Sequence, residues 1–127
     1  MFLFKKRAPS DSHMETWLSK VDDAYVKASQ CGNVQALVPF CTRACLTRIA
    51  EQIRLGGKEY AGLERYRHVK WSSVDANSQL NWVKEVSYDH VNVSRGVIVP
   101  VGDDYHERWS LTLDAETRLV SDIRRLT

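Results

Sequence analysis

The fold turns on one stretch, DDYHERWSLTL, residues 103–113. Its aromatic and leucine-rich composition is that of a β-strand. Successive side chains on a strand point to opposite faces, so Tyr105, Glu107, Trp109, Leu111 and Leu113 share one. A carboxylate therefore stands among four aromatic or apolar neighbours. Two roles are open to it. A basic partner can hold it as a structural acid, or burial can raise its pKa and make it a general acid or base.

Upstream the pattern is different. Met14, Trp17, Leu18, Val21, Ala24, Tyr25 and Ala28 recur at three- and four-residue steps, the stripe of an amphipathic helix. Ser12 and Glu15 form a capping-box pattern, which puts the helix start at Ser12, and Gly32 suits a left-handed stop. NVQALVPF reads as a short helical turn broken by Pro39. Thr42 caps a second helix with Cys45, Leu46, Ile49, Ala50 and Ile53 on its buried face and Gly56–Gly57 as its stop. From RYRHVKWSSV onward the period is two. LNWVKEVSYDHVNV reads as one long strand, SRG as a bulge or a tight turn, VIVPV as a strand and GDD as a hairpin turn. YHERWSLTL, a DAET turn and RLVSDIRRL follow. Helices first and antiparallel strands afterwards make an α+β domain, N-terminal helices packed on a curved antiparallel β-sheet. Residues 1–10 read as a flexible tail and 11–127 as a single domain.

Composition narrows the function classes. A hydrophobic content of 43% with 27% charge fits a globular chain, and no run reaches the ~20 apolar residues of a membrane span. The net charge of +2 argues against nucleic acid as a partner. The first seventy residues are net basic and the rest net acidic, so an acidic partner would meet the N-terminal half. Cys31, Cys41 and Cys45 are an odd number without a secretion signal, which points to reduced thiols and a cytoplasmic location. Cys41 and Cys45, one helical turn apart, read as buried structural cysteines; nothing in the sequence calls for a metal or another cofactor. MFLFKKR allows at most peripheral membrane contact.

Four sets of residues could carry chemistry. Glu107 needs a second polar group, and Tyr88, His68, Arg67, Lys84 and Arg95 are available on other strands. With His68 or Tyr88 it would make a small cofactor-free isomerase or hydratase. Arg65, Arg67 and Lys70, interleaved with Tyr66 and Trp71, form a candidate basic patch, although alternation spreads them over two faces. Ser87, Asp89 and His90 are too close along a strand to form a triad. Trp71, Trp82, Tyr105 and Trp109 are either core or the lining of a binding pocket.

The segments LVPFCTRACLTRIAEQI (37–53), YHERWSLTL (105–113) and RLVSDIRRL (118–126) resemble the helix and strand motifs of the Tim 44-like domain, a branch of the nuclear transport factor 2-like superfamily. The likeness spans most of residues 14–126, with Arg118–Leu119 where the family often has a tryptophan. The resemblance implies a strongly curved sheet forming a cone. It also implies a non-catalytic docking module for a protein partner, an apolar segment or a lipid, with a homodimer as a further expectation.

Overall fold

The computed structural model describes residues 7–56, 67–75, 78–88, 91–94, 97–100 and 105–126. Helix α1 (Arg7–Cys31) and helix α2 (Arg43–Gly56) precede six strands. Strands β1 (Arg67–Ser73), β2 (Asn81–Tyr88), β5 (Tyr105–Leu113) and β6 (Val120–Arg125) form one antiparallel sheet in the order β1-β2-β5-β6. Strands β3 (Val91–Ser94) and β4 (Val97–Pro100) form a separate antiparallel pair. The α+β class follows directly.

Helix α1 begins at Arg7 rather than at Ser12. Pro9 does not prevent this, because the first four amides of a helix have no partner within it. At the other end Gly32, at φ +78°, donates its N–H to the Ala28 carbonyl, which also accepts from Asn33. The expected stripe is buried there: Leu18, Val21, Ala24 and Ala28 in full, and Met14, Trp17 and Tyr25 in part. A 3-10 turn over Gln35–Leu37 follows. Thr42 then caps α2, its hydroxyl accepting the Cys45 N–H at 3.3 Å. Cys45, Ile49 and Ile53 face the core, but Ala50 is exposed.

The single strand expected over residues 80–93 is two strands. Trp82, Lys84, Val86 and Tyr88 all lie at even positions and are buried. The next apolar residues, Val91 and Val93, are at odd positions. A strand that kept its register could not hold both sets on one face. The chain instead gives β3 to β4, with Ser94 opposite Val97, while β5 returns to pair with β2. The GDD turn expected to join β4 and β5 as a hairpin falls outside the described residues, and those two strands are not paired with each other.

One face of the four-stranded sheet and both helices share a single core. Leu18, Leu37, Ile49, Trp82, Leu111 and Val120 are among its large, fully buried members. Each such aliphatic side chain contributes about 1.5–3 kcal/mol by leaving water. Trp82 can be buried because its indole N–H donates to the Gln79 carbonyl at 2.9 Å, from a left-handed residue at φ 55°. The segment before α2 is sewn to β6: Thr42 N–H donates to Val120 O, and Val120 N–H to Phe40 O. Among the described residues no helix is long and apolar enough to cross a membrane.

Candidate functional site

The inward sheet face is not wholly apolar. Asp22, Lys84 and Glu107 are 3%, 3% and 4% exposed. Asp22 lies on α1, one turn from Leu18, so the helix that supplies the core also carries a carboxylate into it. Its two oxygens meet two cations. Arg67 on β1 donates to both, through Nη1 to Oδ2 and through Nη2 to Oδ1 at 2.8 Å. Lys84 on β2 donates to Oδ1 at 2.7 Å. Burial alone would raise the Asp22 carboxyl; the hydrogen bond from Arg67 and the charges of Lys84 and Arg67 outweigh it and hold the pKa below 3.8.

Lys84 is shifted in the opposite sense to a simple ion-paired lysine. Burial lowers its ammonium pKa from 10.5, Asp22 pulls it back up, and Arg67 pushes it down again. The two directions are compatible because Asp22 is shared: Arg67 takes both oxygens, and Lys84 is the more deeply buried of the two cations. The ammonium is also caged by aromatic faces, 5.1 Å from the Trp109 ring centroid and 5.5 Å from that of Tyr25. Those rings meet edge to face, with centroids 5.8 Å apart. Burial, together with the charges of Glu107 and Asp22, raises the Tyr25 phenol to about 12.

Glu107 lies on the buried face as its alternation requires. Its Oε1 accepts the Trp109 indole N–H at 2.7 Å, from a residue two positions along the same strand. Its charge favours the ammonium form of Lys84. Its Oε2 is buried without a hydrogen-bond partner among the described residues, as is Trp71 Nε1. Tyr88 belongs to the same cluster; its hydroxyl accepts from Arg67 Nε at 3.3 Å, and burial raises its pKa. Two acids and two bases thus balance between α1 and the sheet, most of their polar atoms engaged by one another.

The structure separates the other candidates. His68 is exposed on the outward face, whereas the Glu107 side chain points inward. Arg67 faces inward and Lys70 outward, so they form no common patch; Arg65, Arg95, Asp89 and His90 lie outside the described residues. Trp71 and Trp82 are core, while Trp109 is half-buried and Tyr105 pairs with Tyr88 at the start of β5. Cys31 is exposed; Cys41 and Cys45 are free, buried thiols. The hydrogen bond to Cys45, then burial, raises Cys41, and the same bond lowers Cys45.

Trp109 connects this interior to the surface. With Tyr25 it borders a groove of about 530 Å³ that Arg48, Gln52, Arg124 and Arg125 also line. Asp122 lies between two of these arginines, 3.0 Å from Arg48 and 3.2 Å from Arg124. Arg48 further donates to the Ser121 carbonyl at 2.7 Å. The two guanidinium groups are therefore anchored yet open to solvent, at 53% and 72% exposure. Among the described residues lining this groove, three arginines and Asp122 surround the aromatic edge.

Comparison of the chain with models of known protein families, with curated proteins and with solved structures finds no match.

Proposed function

We propose that the chain is a non-catalytic docking domain, built as a Tim 44-like variant of the nuclear transport factor 2-like cone, whose occupant is a polypeptide segment with acidic and apolar side chains. One observation carries this reading: the groove between the helices and β6 joins the half-buried rings of Tyr25 and Trp109 to Arg48, Arg124 and Arg125, with Asp122 set between Arg48 and Arg124. Its volume lies within the ~300–1,000 Å³ of ordinary ligand clefts. Aromatic anchors with arginines at the rim are the residues that dominate protein recognition. Asp122 already holds Arg48 and Arg124 in place, so an incoming carboxylate meets donors that need little further ordering. Asp22 supports the same reading, because it is fully engaged by Arg67 and Lys84 and so is not a free base.

A selection from a random-peptide library on the purified full chain tests it. Enriched sequences should place Asp or Glu beside an aromatic or aliphatic residue, and Arg124→Glu should weaken their binding about tenfold or more. Enrichment of basic sequences, no enrichment over bare support, or indifference to Arg124→Glu would remove the groove as the docking site.

A further inference from the structure

The sheet's other face has no helix over it among the described residues, and its register assembles a second constellation. His68 on β1 pairs with Ser87 on β2, and Ser87 pairs with His106 on β5. Residues directly opposite on neighbouring strands share a face, so these three side chains stand in one row. The next row along that face is Lys70, Glu85 and Arg108. All six border a single basin of about 440 Å³, which the inward-pointing Glu107 also borders.

From these two rows we infer a binding site for a phosphoryl group on the outward face of β1, β2 and β5. Side chains directly opposite are about 5 Å apart at Cβ, so the two imidazoles span about 10 Å with the Ser87 hydroxyl between them. That spacing admits one tetrahedral oxyanion above the serine, within reach of a ring N–H from either side. Lys70 and Arg108 stand about 7 Å farther along the strands, within reach of the same anion. Ser87 is half-buried and the other five are exposed, so the hydroxyl forms the floor and the cations the walls.

Charge and shape choose the ligand class. Lys70 and Arg108 outweigh Glu85, which lies 3.8 Å from Arg108 Nε and orients that guanidinium. A phosphate monoester carries about −1.5 to −2 charge at pH 7 and three acceptor oxygens, enough to engage both rows at once. A planar carboxylate would use one row. Neither row holds a Phe, Tyr or Trp, the broad rings on which successive bases of single-stranded nucleic acid stack. This site is independent of the docking groove and stands or falls separately.

Inorganic phosphate is the first probe. It is titrated into the labelled full chain at constant ionic strength, with chloride as the control, while the His68 and His106 ring resonances are followed. Both should move saturably with phosphate and not with chloride. His68→Gln with His106→Gln should weaken binding about tenfold or more, and Glu85→Gln should strengthen it, because it removes the one opposing acid from the two rows. Vesicles of phosphatidylcholine with and without phosphatidic acid separate the sources. Sedimentation only with phosphatidic acid, lost in the double variant, assigns the phosphoryl group to a lipid; saturation by free phosphate without sedimentation assigns it to a soluble ligand. Absence of both, or binding that Glu85→Gln weakens, would overturn the site.

Discussion

Asp22→Asn removes the one charge that both interior cations share. The substitution keeps the shape of the side chain and deletes its negative charge. Lys84, 4% exposed at its side chain, then remains buried with its direct partner gone, and Arg67 loses a two-pronged contact. Breaking a buried pair by removing one member typically costs about 3–5 kcal/mol. Against a total of ~5–15 kcal/mol for a domain, that is a large share. At roughly 4 °C per kcal/mol for a chain of this size, the midpoint should fall by about 12–20 °C. Thermal and urea unfolding followed by tryptophan fluorescence read it directly.

The pH profile adds a signature that lost packing alone would not produce. Asp22 has a lowered pKa in the folded chain, so its contribution is present above about 3.8 and is lost as pH falls through the folded value. The variant lacks that acid limb. Lys84 has a lowered pKa as well, and without Asp22 nothing as close opposes the effect of burial. Between the folded pKa and 10.5 the unfolded chain then binds more protons, so the variant regains stability as pH rises through that window. Adding Lys84→Met to Asp22→Asn should return part of the loss, because it removes the buried ammonium left without its carboxylate. A loss below about 1 kcal/mol with no pH dependence, or a double variant weaker than Asp22→Asn, would refute the reasoning, since the charges would not then be coupled.

Two further substitutions test the neighbouring features. Glu107→Gln keeps an acceptor for the Trp109 indole, and the docking reading predicts a loss of about 1–2 kcal/mol with peptide binding retained. The rival hydratase or isomerase, favoured by an Oε2 without a hydrogen-bond partner among the described residues, would keep its fold and lose turnover instead. Gly32→Ala should cost about 1–2 kcal/mol through its left-handed φ alone, since a Cβ there meets nothing within 4 Å; an unchanged midpoint in urea would show that the cap relaxes.

The fold class was legible because the hydrophobic period changes from helical to alternating at the point where the helices give way to strands. Thr42 and Gly32 marked helix ends by their own chemistry, and the structure uses both. The break between β2 and β3 was missed, although the shift from even to odd apolar positions after Tyr88 recorded it. The site was legible only in part. Glu107 stood out because an acid interrupted an apolar face. Asp22 interrupts the stripe of α1 in the same way, four residues after Leu18, and Lys84 sits between Trp82 and Val86. Reading all three interruptions together would have called for charges that neutralise one another. That Asp22 meets Arg67 and Lys84 could not be read locally, because the partners lie 45 and 62 residues away. The groove depends on how α1, α2 and β6 approach, which no spacing within one segment encodes.

The four tryptophans offer the most direct test of where recognition occurs. Their indole N–H signals can be followed in one spectrum as an acidic, aromatic-bearing peptide of stated sequence is added to the labelled full chain. The Trp109 signal should shift saturably, because its ring borders the arginine-lined groove, while those of Trp71 and Trp82 stay in place within the core. Movement of Trp71 and Trp82 with Trp109 unmoved would put the ligand inside the domain and contradict the account.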